Sequence, residues 1–177
     1  MRYFKVSLLL AALTANFALI GVVSADQVPS TDTTAPASEV ILTIKGQMTP
    51  GTASMIAEFD LAKLRDMGAV TFSTSTPWTT GVQDFTGVPV YTLLKAIGAN
   101  PSSLKITALN EYEVVIPASD AIEGGPMLAW EQGGRYLSVR EKGPLWLVYP
   151  FDKKTEYQTE EIHARAVWQV VQIELLP

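Results

Sequence analysis

The sequence predicts an α+β fold that is mostly β and forms a single domain, and three observations favour it. Short runs of apolar and β-branched residues recur along the chain, bounded by glycine, proline or polar residues. Helical spacing of apolar residues is confined to short segments, so the helices should be few and short. From residue 40 onward the sequence contains no internal repeat and no linker that would mark a second domain. The strands should therefore share one core.

The strand predictions rest on runs that alternate between apolar and polar residues or are continuously apolar. Val40–Ile44 is the first of these runs, and Gly46 follows it. The Gly133-Gly134 pair predicts a tight turn between two later strands. In chain order, the other predicted strands are Val70–Ser73, Leu104–Leu109, Glu113–Ile116, Met127–Trp130, Tyr136–Val139, Leu145–Tyr149 and Ala166–Leu176.

Two short helices are predicted. In the segment 59–68, Asp60 is a typical N-cap residue, apolar residues follow at a spacing of three, and Gly68 stands where a helix ends. The second helix, Tyr91–Ile97, follows the turn residues Gly87-Val88-Pro89-Val90 and is closed by Gly98.

The N-terminus has the features of a signal peptide. Arg2 and Lys5 precede an apolar run from Val6 to Val23, and Val23-Ser24-Ala25 is a small-residue cleavage sequence. We therefore expect cleavage after Ala25, a flexible Thr-, Ser- and Pro-rich leader over 26–39 and a folded domain over 40–177. The expected location is periplasmic or secreted, without membrane insertion of the mature chain. The alternative is an uncleaved membrane anchor.

Charge and cysteine content exclude several classes of function. Loss of Arg2 and Lys5 with the signal peptide would lower the net charge from −5 to −7. A negative surface disfavours binding to nucleic acid and to anionic lipid. The chain has no cysteine, which excludes a thiolate nucleophile, a thiol redox couple and a cysteine-ligated metal.

Several sequence pieces occur in the order typical of one family. They are the first strand with Gly46, Phe59-Asp60-Leu61 with Leu64, Gly87-Val88-Pro89-Val90 with Leu93-Leu94, Asn110-Glu111-Tyr112 with Ile116-Pro117, and Leu128-Ala129-Trp130 through Gly143-Pro144-Leu145 to Pro150. Together they resemble the sulfite-oxidase-type oxidoreductase molybdopterin-binding domain, over roughly Val40 to Leu176. The resemblance implies the sulfite-oxidase-type molybdopterin-binding-domain fold.

The chain departs from the family pattern at residues that carry its chemistry. The resemblance implies that the strand after the first helix ends in a cysteine that binds molybdenum. Ser73-Thr74-Ser75 stands there instead, which suggests a metal position near Thr74. A hydroxyl cannot replace a soft thiolate ligand of this type. Trp146 also replaces the arginine of the family's "G-P-L-R" piece. We therefore expect no cofactor; molybdopterin bound without a thiolate is the alternative.

The loop Thr74–Gly81 is the first candidate for a binding site, because it combines hydroxyl groups with an aromatic side chain at the family's cofactor position. The residues expected to line the cleft are Thr74, Ser75, Trp78 and Arg140. The alternative is an ordinary solvated loop whose hydroxyl groups bond to the turn backbone. Trp130, Trp146 and Trp168 are expected to be core residues.

Other kinds of site find no support in the sequence. His163, the only histidine, lies in an acidic stretch that is predicted to be a solvent-facing loop. One histidine is too few for a typical zinc site. A serine-hydrolase site is also unsupported, because the sequence has no G-x-S-x-G elbow. We therefore expect no metal. Gly124-Gly125 and Gly133-Gly134 lack the patterns of nucleotide-binding loops.

The leading hypothesis is an exported binding or accessory protein whose partner is a small-molecule ligand or another protein. Whether the protein is an enzyme stays open, although the missing cysteine argues against catalysis. One alternative is a molybdopterin-dependent oxidoreductase with non-cysteine ligation. The other is a partner-binding module for a membrane sensor.

Overall fold

The computed structural model describes residues 39–49 and 51–177. The predicted signal peptide and nearly all of the predicted leader lie outside these residues. The strands are β1 (Leu42–Gln47), β2 (Ser54–Phe59), β3 (Val70–Thr74), β4 (Gln83–Pro89), β5 (Ser103–Ala108), β6 (Glu113–Pro117), β7 (Met127–Gln132), β8 (Arg135–Tyr136), β9 (Trp146–Val148) and β10 (Val170–Leu176). The helices are α1 (Leu61–Asp66), α2 (Val90–Ile97) and α3 (Glu160–Arg165), and short 3₁₀ turns lie between them.

The first sheet has the strand order β2-β1-β10-β5-β6. Its strands pair antiparallel except β1 and β10, which run parallel. Along β5, Leu104, Ile106 and Ala108 are buried, while the residues between them are half-buried. This alternation places one face of the sheet against the core.

The second sheet has the order β3-β4-β7-β8, and β9 also pairs with β7. The four residues Met127–Trp130 of β7 are all buried, as expected for a strand covered on both faces. Gly87 of β4 lies so close to β7 that a Cβ atom there would be 2.2 Å from the carbonyl oxygen of Leu128. Only glycine allows this approach.

Both predicted helices are confirmed. The carboxylate of Asp60 accepts a hydrogen bond from the backbone N–H of Lys63 at 2.8 Å, which caps α1. Gly98 ends α2 in the left-handed conformation, with φ +70°. The predicted fold class, a single mostly β domain with few helices, is also confirmed.

Several element predictions are wrong. β2 and β4 form where the sequence predicted no strand. The predicted strand Tyr136–Val139 is reduced to β8, because the chain turns into a 3₁₀ helix at Val139–Glu141. The predicted strand Ala166–Leu176 begins only at Val170, because Gln169 has a φ of +56°, which no strand residue adopts.

The acidic stretch around His163 is a helix and not the predicted solvent-facing loop. The hydroxyl of Thr159 accepts a hydrogen bond from the N–H of Ile162 and so begins α3. Ile162 is buried and anchors the helix to the core, which leaves His163 half-buried. No helix in the described ranges is long and apolar enough to cross a membrane.

Candidate functional site

The predicted metal position lies at the end of β3, where Thr74 is completely buried. Its hydroxyl donates a hydrogen bond to the carbonyl oxygen of Ser75 and accepts one from the N–H of Asp152, both at 3.1 Å. Thr74 therefore joins β3 to the 3₁₀ turn Phe151–Lys153. No surface of Thr74 is exposed to a ligand in this arrangement.

Ser75 is held by the same turn. Its backbone N–H and its hydroxyl each donate a hydrogen bond of 2.5 Å to the carboxylate of Asp152. The bond from the hydroxyl, and then the bond from the N–H, lower the pKa of Asp152 below its usual value, because both stabilise the ionised carboxylate.

The hydroxyl groups of Thr76 and Thr79 bond within the loop itself. The hydroxyls of Thr76 and Thr79 are 2.9 Å apart, and the hydroxyl of Thr76 accepts a bond from the N–H of Trp78 at 3.2 Å. These are typical turn interactions. They fix the position of Trp78, which is half-buried.

Trp78 is the centre of a group that we call the Trp78 cluster, which comprises Trp78, Trp146, Phe151, His163 and Trp168. The ring of Trp78 meets each of the others edge to face, at centroid distances of 5.6 Å to Trp168, 6.0 Å to Trp146 and His163, and 6.3 Å to Phe151. Such pairs stabilise aromatic clusters beyond simple burial. Trp130 and Trp146 are core residues as predicted, but Trp168 is 38% exposed.

Of the four predicted site residues, Trp78 and Arg140 line the same cleft. This basic cleft has a volume of about 570 Å³, within the range of small-molecule sites. Thr74 and Ser75 lie outside its lining. Its main side chains are Trp78, Gln83, Gln132, Arg135, Arg140 and Lys142.

The basic cleft is positively charged although the chain as a whole carries a net charge of −5. Arg135, Arg140 and Lys142 face a single lining carboxylate, that of Glu141. Within the described ranges, none of these three cations lies within 4.0 Å of a carboxylate. A small anion that enters the cleft would therefore meet unpaired cationic groups.

A second cavity, of about 270 Å³, lies on α3 and the β5–β6 turn. We call it the aromatic pocket. Trp78 lines it as well, together with Asn110, Tyr112, His163, Ala164 and Trp168, among others. The sequence did not indicate this pocket. The signal that could have revealed α3 is Thr159 followed by two glutamates, a typical helix start.

Among the residues that the structure describes, no group of three or more His, Cys, Asp or Glu side chains is arranged to hold a metal ion.

The comparisons with known proteins agree with the fold. The family model of the oxidoreductase molybdopterin binding domain matches residues 41–152. Among solved structures, the sulfane dehydrogenase SoxCD from Paracoccus pantotrophus is similar, with a TM-score of 0.55 and 18% sequence identity. The match covers 76% of this chain and 37% of the SoxCD chain. None of the curated proteins compared with the chain matches it. Because the family model matches more than half of the chain, the protein belongs to the oxidoreductase molybdopterin-binding domain family.

Proposed function

We propose that this protein is an exported ligand-binding member of its family, whose basic cleft binds a small anionic molecule without cysteine-ligated molybdenum. The observation that carries the proposal is the joint placement of Trp78 and unpaired Arg140 in one cleft. An aromatic wall and a guanidinium group supply, respectively, apolar contact and a directional donor. Export rests on the signal-peptide features of residues 1–25.

The charges in the cleft favour an anion over a neutral ligand. Arg135 and Arg140 offer planar donor groups that can bind a carboxylate, sulfate or phosphate through two hydrogen bonds each. The amide side chains of Gln83 and Gln132, 3.4 Å apart, add polar contacts at the same cleft. This combination of few polar groups beside an aromatic wall is typical of small-ligand sites.

The side chains at the end of β3 do not provide a thiolate ligand for molybdenum. The resemblance implies that this ligand would stand near Thr74, whose hydroxyl is buried and hydrogen-bonded to Ser75 and Asp152. A neutral hydroxyl is also a poor ligand for a metal that prefers soft donors. Both points support a role other than cysteine-dependent molybdenum chemistry.

The second candidate is a molybdopterin-dependent oxidoreductase with non-cysteine ligation. The basic cleft is the observation in its favour, because Arg135, Arg140 and Lys142 could hold the phosphate of a pterin cofactor. The two candidates differ in whether the protein isolated from cells contains molybdenum and pterin.

The first test is the molybdenum content and the pterin fluorescence after oxidation, measured on protein from the exported fraction of a cofactor-competent host. We expect neither. Stoichiometric molybdenum and pterin would overturn the first candidate and establish the second.

The second test measures anion binding by titration calorimetry with sulfate, phosphate and benzoate at low and high ionic strength. We expect binding that weakens with salt and falls about tenfold in Arg140→Gln. Lys95→Gln, an exposed cation on α2, is the matched control. Equal binding by Arg140→Gln, Lys95→Gln and the unmodified protein would contradict the proposal.

A further inference from the structure

The aromatic pocket has the composition of a cation-binding cage. Three of its lining residues, Trp78, Tyr112 and Trp168, have electron-rich aromatic rings, and a fourth, His163, adds an imidazole. The planes of Trp78 and Trp168 are inclined by 82° at a centroid distance of 5.6 Å, so the two indoles form a corner. Aromatic rings arranged in this way bind methylated ammonium groups through cation–π attraction.

The exposed rings are held by the backbone and do not belong to a loose loop. Trp168 pairs with Trp146 in a β-bridge, and the N–H of Gln169 donates to the carbonyl oxygen of Lys142 at 2.9 Å. The carbonyl oxygen of Gln169 accepts a bond from the N–H of Leu109, also at 2.9 Å, which fixes the β5–β6 turn that carries Tyr112. Trp168 and Tyr112 nevertheless remain 38% and 49% exposed. Exposure of two large rings on a rigid backbone is typical of a binding surface.

The lining of the aromatic pocket differs in charge from that of the basic cleft. Among the described residues that line the pocket, none is lysine or arginine. Glu160 precedes His163 and Ala164 by three and four residues on α3, so it lies on the helix face that borders the pocket. Glu111 is an exposed carboxylate residue between Asn110 and Tyr112, two residues that line the pocket. Neither glutamate forms an ion pair with a described residue.

From these observations we infer that the aromatic pocket binds a small organic cation of the methylated ammonium class. Trp78, Trp168 and Tyr112 supply the ring faces, and Glu160 and Glu111 supply a negative potential that attracts the cation and lowers the concentration of competing anions. The pocket volume of about 270 Å³ suits a free small molecule with a compact head group. The pocket shares Trp78 with the basic cleft but not Arg140, and the inference does not depend on the function proposed for that cleft.

The test compares choline with 3,3-dimethylbutan-1-ol, which has the same shape but carries carbon in place of the charged nitrogen. Tryptophan fluorescence and titration calorimetry measure binding of each compound to the full-length mature protein. We expect choline to bind about tenfold more tightly than its neutral analogue. Equal affinity would show an apolar pocket without cation recognition, and absence of choline binding would also overturn the inference.

Variants locate the binding to this pocket. Trp168→Leu should weaken choline binding about tenfold, and Glu160→Gln should weaken binding of choline but not of the neutral analogue. Tyr91→Leu, which removes an exposed ring from α2, is the matched control and should bind choline normally. Thermal unfolding of each variant verifies that it is folded. Arg140→Gln should leave choline binding unchanged, so that failure of the anion proposal and failure of this inference give different results.

Discussion

The carboxylate of Asp152 accepts both hydrogen bonds that Ser75 donates, one from its N–H and one from its hydroxyl, each at 2.5 Å. The two residues are 77 positions apart along the chain. This contact, with the bond from the N–H of Asp152 to Thr74, holds the end of β3 against the turn that follows β9. The position of the candidate-site loop therefore depends on a carboxylate from a distant part of the chain.

Replacement of Asp152 by asparagine should destabilise the protein at neutral pH, because an amide offers only one acceptor oxygen to two donors. We expect a loss of less than about 1.5 kcal/mol in the free energy of unfolding, because the residue is exposed to solvent. Asp66→Asn, at an exposed aspartate on α1 without a side-chain hydrogen bond among the described residues, is the matched control.

The difference in the free energy of unfolding between Asp152→Asn and the unmodified protein should also depend on pH. Hydrogen bonds from Ser75 lower the pKa of Asp152 in the folded state, so this residue binds fewer protons when folded than when unfolded. Its contribution should be complete above the usual aspartate pKa of about 4 and lost as the pH falls through the lower, folded-state pKa. Urea unfolding from neutral to acidic pH measures this difference. If this difference in the free energy of unfolding grew on acidification, the lowered pKa of Asp152 would be contradicted.

Tyr149→Phe should be more destabilising than Tyr157→Phe. Tyr149 is completely buried and its hydroxyl donates to Asp120 at 2.7 Å, whereas the hydroxyl of Tyr157 has no hydrogen-bond partner among the described residues. Arg165 donates to the same carboxylate oxygen at 2.8 Å. We expect a loss of about 1–2 kcal/mol for Tyr149→Phe and less than about 0.5 kcal/mol for Tyr157→Phe, measured by urea unfolding.

The pH dependence of the Tyr149 contact should be weak. Burial, followed by the neighbouring Asp120, raises the pKa of Tyr149 far above its usual range. The phenol therefore remains a protonated donor from about pH 6 to about pH 9. Unfolding measurements across this range should give the same difference between Tyr149→Phe and the unmodified protein; a steep change would show that the phenol titrates.

Gly87→Ala should lower the free energy of unfolding by about 3 kcal/mol or more. The new Cβ would lie in the second sheet, 2.2 Å from the carbonyl oxygen of Leu128 and 2.6 Å from the Cα atom of Ala129. Both of these atoms belong to the backbone and cannot move aside easily. Gly81→Ala is the control, because its Cβ would meet nothing within 4 Å although its φ is +65°. That strain alone costs about 1–2 kcal/mol. Equal losses in the two variants would contradict the steric explanation.

Thr159→Ala and Asp60→Ala each remove a helix N-cap, of α3 and α1 respectively. We expect each to lower the free energy of unfolding by about 0.5–2 kcal/mol. Only Thr159→Ala loosens the helix that carries His163 against Trp78. Tryptophan fluorescence of the folded protein should therefore change in Thr159→Ala and remain constant in Asp60→Ala.

The sequence could predict those elements whose signals are local. Asp60 and Gly98 mark the limits of α1 and α2 directly, because capping depends on a few neighbouring residues. β4 was not predicted, because its Gly87 and Pro89 usually interrupt strands. Contact with β7 explains the glycine, and the proline stands at the point where β4 ends and α2 begins. α3 is only six residues long and has one buried residue, so its amphipathic pattern was too short to recognise.

At the candidate site, too, local features are visible in the sequence and contacts between distant residues are not. Trp78 and Arg140 line one cleft, and both were candidates because turn residues and a charged side chain near Gly143 are visible in the sequence. The partners of Thr74 and Ser75 are not visible, because Asp152 lies more than 70 positions away. The sequence shows which side chains can donate or accept hydrogen bonds, but only the fold shows which of them are already paired. Ligand binding by these four residues stays a prediction.

The strand order of the first sheet has a consequence for the order of folding. β10 lies between β1 and β5 and forms hydrogen bonds with both. Until residues 170–176 are in place, that sheet consists of two separate hairpins, each with an open edge. A chain that is synthesised from its N-terminus cannot complete this sheet until residues 170–176 have been added. Final closure of the fold therefore depends on a strand that comes late in the chain.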